Sequence, residues 1–270
     1  MICKANAKIN LSLEVLRKRT DGYHELRTVM AETSLYDLLT IEAANDLRVH
    51  ASIPLPADNT VFRAASFFMA RYGCGGAHIY IEKNIPSEAG LGGASADAAA
   101  VLRAMQSLYG EPASESELYA LARMVGADVP FCLHGGIALC EGVGERITPL
   151  THIGAHLLLV KGCRGVSTPA LFRSLRLPLA HCDTQGVLRA VAQNDLPALA
   201  TRLHNALEAP ASALLPEIAL YKAQLLSAGA LGASMTGSGA CVFGLFESES
   251  DAAQALASFS DAPFAYLASI

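Results

Sequence analysis

Charge is scarce in this chain, and positive charge is scarcer still. Of 270 residues, 17% are Asp, Glu, Lys or Arg, and 20 Lys and Arg face 25 Asp and Glu, for a formal net charge of −5. Nonspecific nucleic-acid binding needs a basic surface, so this balance argues against that class. Apolar runs such as Leu157 to Val160 fall far short of the roughly 20 residues that cross a bilayer. The N-terminus lacks the charged-then-apolar layout of a secretion signal, and a cytoplasmic location is expected. Cys-x-x-Cys pairs are missing too. Cys3, Cys74, Cys132, Cys140, Cys163, Cys182 and Cys241 are odd in number and scattered, which favours reduced, mostly buried thiols over disulfides or a zinc site. His152 and His156 stand at a strand entry, where their spacing does not converge on a metal.

What remains is a compact, alanine-rich composition, 52% hydrophobic, long for one domain and comfortable for two. The chain is organised around Pro86-Ser-Glu-Ala-Gly-Leu-Gly-Gly-Ala-Ser-Ala-Asp97. Before it, alternation over Ala77 to Glu82 predicts a strand. After it, Ala98, Val101, Leu102, Met105 and Leu108 repeat at helical spacing until Gly110 and Pro112. Glycines at 90, 92 and 93 sit where loop meets helix, and they permit positive φ and a close backbone approach. The unpaired N–H groups and positive dipole end of the helix, with the Ser95 hydroxyl, suit a phosphate. A Walker loop is excluded because Ala94 follows Gly93, and a dinucleotide fingerprint because Ser95 stands where a third glycine is needed. A tight strand-to-helix turn with no ligand stays open on this stretch alone.

Residues 4 to 15 alternate, with Ile9, Leu11, Leu13 and Val15 on a core face and Lys8, Asn10 and Ser12 on a face expected to be available. Thr20-Asp21-Gly22 predicts a turn, and Tyr23 and His24 directly follow it. The basic residues of this N-terminal stretch suit either a small anionic substrate or a solvated face. Further strands are predicted at Val29 to Ala43 and Leu47 to Ile53, and helices at Asn59 to Tyr72 and Glu115 to Val125, the latter capped by Ser114 or Ser116. Asp128, with Pro130 two residues on, reads as a helix N-cap, which would hold its carboxylate rigid and ionised. A strand pair is predicted within residues 136 to 150, and Thr148-Pro149-Leu150 serves as the expected linker between domains 1–150 and 151–270. Beyond it come a strand (Ala155 to Lys161), helices including Leu214 to Ser227, a strand–turn–strand from Ala233 to Phe246, and a helix from Ser250 to Phe259.

Lys8 within Ala-Lys-Ile-Asn-Leu, the Pro86 to Asp97 loop, and Met235-Thr-Gly-Ser-Gly239 together resemble, in order and spacing, the motifs of the GHMP kinases, the galactokinase, homoserine kinase and mevalonate kinase group. The resemblance covers essentially the whole chain. It implies an α/β fold of two domains, S5-like at the N-terminus and ferredoxin-like at the C-terminus, with the site in the cleft between them. It also implies phosphate transfer from ATP with Mg2+. ATP binding falls by that resemblance on Pro86, Gly90, Leu91, Gly92, Gly93, Ala94 and Ser95, with Lys83 and Asn59 as adenine or ribose contacts and Ser95 as the hydroxyl nearest Mg2+. Asp128 becomes the base, Lys8 its supporting cation and Asn10 the orienter of substrate.

Asp21 to Leu26 and Gly126 to Phe131 resemble the branch acting on a cytidine diphosphate-linked sugar alcohol, a methylerythritol derivative of non-mevalonate isoprenoid synthesis. That implies transfer to its 2-hydroxyl, with Tyr23 and Phe172 sandwiching the base and His24 on its edge; Phe172 reads equally as core. A homoserine- or mevalonate-type kinase and a noncatalytic nucleotide sensor are the alternatives. The loop departs from the family's usual pattern at Ala94, Ala96 and Asp97, and Asp97 is expected to point away from the ligand.

Overall fold

A computed structural model describes residues 1–179 and 182–270. The chain divides into two compact units. The first comprises Met1–Ala7, Leu35–Ile85 and Gly92–Gly135; the second comprises Lys8–Ser34, Pro86–Leu91 and Gly136–Ile270. Strands β1 (Ile2–Lys18) and β2 (His24–Ala44) each begin in one unit and end in the other.

In the first unit, β3 (Arg48–Ala51) runs parallel to β4 (Gly76–Glu82), and β4 pairs antiparallel with β2 from Leu38↔Glu82 to Ala44↔Gly76. Helix α1 (Thr60–Tyr72) packs on α2 (Gly93–Leu108), which also meets α3 (Glu115–Val125) and α4 (Val129–His134). Phe68, Val101, Leu102 and Met105 are fully buried, as the helical spacing requires. Each such side chain contributes roughly 1.5–3 kcal/mol by leaving water. Asn59 caps α1 by accepting from the Phe62 N–H, and Gly73 ends it in the left-handed region at φ 63°. Ser114 and Glu117 form a reciprocal capping box at α3, an arrangement worth about 1 kcal/mol.

In the second unit, β5 (Ile137–Gly142) pairs antiparallel with β2 over Leu26–Ala31 and with β6 (Arg146–Pro149). β7 (His156–Lys161) precedes the helices α5 (Thr168–Ser174), α6 (Thr184–Ala192) and α7 (Leu196–Ala200), and β8 (His204–Asn205) then lies parallel to β1 at Ser12 and Leu13. Helices α8 (Glu208–Leu214) and α9 (Glu217–Ser227) lead to β9 (Gly232–Met235), β10 (Val242–Phe246), α10 (Glu249–Leu256), a 3₁₀ turn and β11 (Phe264–Ser269). β11, β7, β10 and β9 form an antiparallel sheet in that order. Its core gathers Leu158, Val160, Leu171, Ile218, Leu225 and Phe246. No helix among the described residues is long and apolar enough to cross a membrane.

Several sequence expectations are corrected. The face of β1 expected to be available is buried: Lys8 is 3% exposed, Asn10 1% and Ser12 0%. The helix expected from Leu214 is split, because Pro216 lacks an N–H and forces the preceding Leu215 to φ −139°, ψ 84°. Thr148 and Pro149 belong to β6, paired with Leu139 and Ala138, rather than to a linker. β11 had not been expected; it pairs with β7 from Phe264↔Lys161 to Ser269↔His156.

Candidate active site

Within the second unit, the N-terminal strand, the glycine loop and the last glycine turn meet. The Lys8 N–H donates to Leu91 O at 2.9 Å, the Ala240 N–H to Glu88 O at 3.1 Å and the Cys241 N–H to Ala89 O at 3.0 Å. The Thr236 hydroxyl donates to Gly90 O at 3.3 Å. Gly90 has φ +75°, and a Cβ there would overlap the Thr236 carbonyl oxygen, well inside van der Waals distance, so no other residue fits without displacement. Motifs separated by most of the chain are thus joined by backbone bonds.

Lys8 stands in this junction and donates from Nζ to Asn10 Oδ1 at 2.8 Å. The same oxygen accepts the Gly237 N–H at 2.9 Å and the Thr236 hydroxyl at 3.2 Å, while Asn10 Nδ2 donates to Thr28 Oγ1 at 2.8 Å. Asn10 therefore spends its amide inside the protein. Expected to orient substrate, it holds Lys8 and the last glycine turn together. Asn205 reinforces that turn, donating from Nδ2 to Met235 O and Gly237 O, each at 2.8 Å. Its role had no sequence signature, because its partners lie 30 and 32 residues away.

The first unit carries the helical side of the expected phosphate site. Gly92, at φ 71°, is the N-cap of α2, and its carbonyl accepts from the Ser95 and Ala96 N–H groups. The earlier N–H groups of Gly93 and Ala94 have no carbonyl one turn back to bond, and they present the positive helix end to an acceptor outside the helix. Ala94 fits because it is helical, and Ser95 is half-buried in the first turn. This donor set suits a polyphosphate. The Thr60 hydroxyl donates to Ala94 O at 2.7 Å, tying the starts of α1 and α2.

Lys83 and Asn59 are placed differently from the expectation. Asn59 uses both amide atoms locally, as the α1 cap and as a donor to Pro56 O at 2.9 Å. The Lys83 ammonium is buried and paired with Asp37 and Asp97. Asp97 is buried, 3% exposed, and accepts from Lys83 Nζ. Asp128 occupies the N-cap position of α4 and makes no side-chain capping bond to that helix.

Back in the second unit, the Phe172 ring lies 5.1 Å from that of His24, tilted by 40°. Phe172 is half-buried and packs against the core. Tyr23 is 64% exposed beside them. Burial, helped by the Lys18 charge, lowers the His24 pKa, which keeps the imidazole neutral and able to accept as well as donate. Thr168 at the start of α5 and Ser238 share a hydroxyl hydrogen bond of 2.5 Å, joining this wall to the last glycine turn.

Comparison with known proteins gives a coherent family. A model described as the GHMP kinases N terminal domain matches residues 59–136, and one described as GHMP kinases C terminal matches residues 187–264. A 4-diphosphocytidyl-2-C-methyl-D-erythritol kinase of Caldicellulosiruptor saccharolyticus is 43% identical over 94% of this chain and 91% of its own length. The corresponding kinase of Acetivibrio thermocellus is 42% identical over 92% of this chain and 91% of its own. A solved 4-(cytidine 5'-diphospho)-2C-methyl-D-erythritol kinase superposes with a TM-score of 0.85 at 37% identity, covering 100% of this chain and 98% of that one. A homoserine kinase from Cytophaga hutchinsonii, at 20% identity and a TM-score of 0.75, shares the fold.

Proposed function

The chain belongs to the GHMP kinases, among their 4-diphosphocytidyl-2-C-methyl-D-erythritol kinase members, and we propose that it transfers the γ-phosphoryl group of ATP to the 2-hydroxyl of that cytidylyl substrate. The products are ADP and the 2-phosphate ester, and the acceptor's proton passes to Asp128. The observation that carries this reading is the junction of Lys8, Asn10, Gly90 and the Thr236–Gly237 turn, which fixes an ammonium among backbone donors.

In the proposed mechanism Asp128 accepts the hydroxyl proton as the O–P bond forms, a service typically worth about 10²- to 10⁴-fold. Its place at the N-cap position of α4, within the segment matched by the GHMP kinases N terminal domain, supports that assignment. Lys8 offsets the charge that develops on the transferred group, and the N–H groups at the start of α2 hold the phosphates. Mg2+ would shield the polyphosphate, with the Ser95 hydroxyl proposed as the protein group that meets it. The neutral His24 with Phe172 and Tyr23 is proposed to hold the cytosine: rings supply stacking, and an imidazole supplies the edge hydrogen bond. The segments matched by the family models, residues 59–136 and 187–264, fall one in each of the proposed domains 1–150 and 151–270, while the compact units of the fold interleave along the chain.

The test offers 4-diphosphocytidyl-methylerythritol, its uridine counterpart, homoserine and mevalonate with magnesium ATP and follows ADP release. Turnover is expected to be confined largely to the cytidine compound. Uracil reverses the donor and acceptor pattern of cytosine and should lose about 1–3 kcal/mol of binding. Comparable rates on homoserine or mevalonate would leave a kinase of another specificity, and nucleotide binding without any turnover would leave a sensor.

A further inference from the structure

We propose that Asp37, Lys83 and Asp97 form a buried tie that fixes both ends of the glycine loop, with Asp97 as a positioning residue for nucleotide binding. The proposal rests on the kinase reading above and assigns a task to residues outside the phosphate cradle. On the entry side, Asp37 Oδ1 accepts the N–H groups of Asn84 at 2.6 Å and Ile85 at 2.8 Å, the residues immediately before Pro86. On the exit side, Asp97 projects from the second turn of α2, whose first residue is Gly93. The Lys83 ammonium joins the two, donating to Asp97 Oδ2 at 2.6 Å and to Asp37 Oδ2. Side-chain exposures of 7% for Lys83, 0% for Asp37 and 4% for Asp97 take the cluster out of water. The two ends are also in close apposition, since a Cβ on Gly93 would come within 2.9 Å of Ile85 Cγ2.

The electrostatics of the tie are uneven. Two carboxylates share one ammonium, and the donors divide unequally: Asp37 receives two backbone N–H groups besides Lys83, whereas Asp97 Oδ1 is buried with no hydrogen-bond partner. Burial chiefly, opposed by the Lys83 charge and aided by that of Asp37, raises the Asp97 carboxyl to about 7. Burial would lower Lys83, but the Asp97 charge and the bonds to both carboxylates outweigh it and hold the ammonium above its usual value. Among the described residues, Cys3 also faces this cluster: burial chiefly pushes its thiol up, the Asp97 charge contributes, and the N-terminal ammonium and Arg103 act against it. A neutral Asp97 balances the cluster, and its loss of a proton leaves an excess buried negative charge.

A loop whose ends are fixed pays its ordering cost on folding. A loop whose ends are loose pays it when phosphate binds. Breaking the tie should therefore weaken nucleotide binding while leaving chemistry and acceptor recognition largely as they were. Asp97→Ala is expected to raise the ADP dissociation constant, measured by calorimetry, and KM for ATP by about tenfold, the scale of one lost preorganising contact. Turnover should fall less than about threefold, and KM for the acceptor should hold. Asp97→Asn keeps an acceptor toward Lys83 without the charge and should recover most of the loss. Between pH 6.5 and 8.5 the wild-type protein should lose ADP affinity relative to Asp97→Asn, a ratio in which the nucleotide's own titration cancels. Unchanged ADP affinity in Asp97→Ala would overturn the tie, as would parallel rises in both KM values or a pH-independent ratio. Should Asp97→Ala fail to fold, the ratio from Asp97→Asn decides alone. A chain that binds ADP and phosphorylates none of the acceptors overturns the proposed function and leaves the tie standing.

Discussion

Lys8 Nζ lies 2.8 Å from Asn10 Oδ1, two positions along the same strand and on the same side of it. The strand period puts both side chains on one face, and that Asn10 oxygen also takes the Gly237 N–H and the Thr236 hydroxyl. The first prediction follows from this arrangement. Asn10→Ala leaves the buried Gly237 N–H without its acceptor and removes one acceptor from Lys8. The unfolding free energy should fall by about 1–3 kcal/mol for the orphaned donor, and ADP release should slow by at least about tenfold as the ammonium loses its orientation. Urea melts and a turnover assay on the same preparation check both parts. Wild-type turnover in a folded Asn10→Ala protein would show that Lys8 needs no such support.

A second prediction isolates the base. Asp128→Asn keeps size and polarity but cannot accept a proton, so turnover should drop at least about a hundredfold while ATP affinity stays nearly intact. Because Asp128 makes no capping bond to α4, the substitution should cost that helix little. Turnover near the wild-type rate would remove Asp128 from the mechanism.

These tests also separate what was legible in the sequence from what was not. Ser114 and Glu117 announce the start of α3 because both halves of a capping box lie within one helical turn. Gly92 and the spacing that follows announce α2 in the same way. The alternation through β1 put Lys8, Asn10 and Ser12 on one face, but alternation carries no information about what covers that face. The cover comes from Thr28, Asn205 and residues 236–237, and Asn10 and Thr236 stand 226 positions apart. Asp37 and Lys83, 46 positions apart, were hidden for the same reason. Asp128 shows a different limit, since its N-cap position was readable from Pro130 while the failure of its side chain to cap was not. Local pattern reports backbone conformation well and side-chain partnership poorly.

A third prediction concerns Gly90. Its φ of +75° and the Thr236 carbonyl oxygen against its missing side chain oppose any Cβ by separate mechanisms. Gly90→Ala should cost about 1–2 kcal/mol for the left-handed backbone and about 1–3 kcal/mol more for the overlap. Thermal unfolding should drop accordingly, and ATP affinity should fall because the junction with the last glycine turn must open. A melting temperature equal to the wild type's would mean that the loop relaxes freely, contrary to the bonds from Thr236, Ala240 and Cys241 that hold it.

The last prediction is a pH dependence of stability with a definite sign. The Asp97 carboxyl is raised from 3.8 to about 7 in the folded protein, chiefly by burial. The folded state therefore binds the proton more tightly than the unfolded chain. The contribution from Asp97 is fully present below the unfolded value near 4 and is lost progressively as pH rises through about 7, the reverse of an ordinary salt-bridged carboxylate. Asp97→Asn has no proton to lose at this position, so subtracting its stability from that of the wild type cancels the titrations both proteins share. Denaturant melts at pH 5, 6, 7 and 8 should show the wild type losing ground to the variant between pH 5 and pH 7, by about 1.4 kcal/mol for each pH unit crossed while the folded form keeps its proton. Above pH 8 the difference should level off. A difference that stays constant across the series would mean that Asp97 is ionised in the folded protein throughout, with Lys83 alone sufficient to hold both carboxylates.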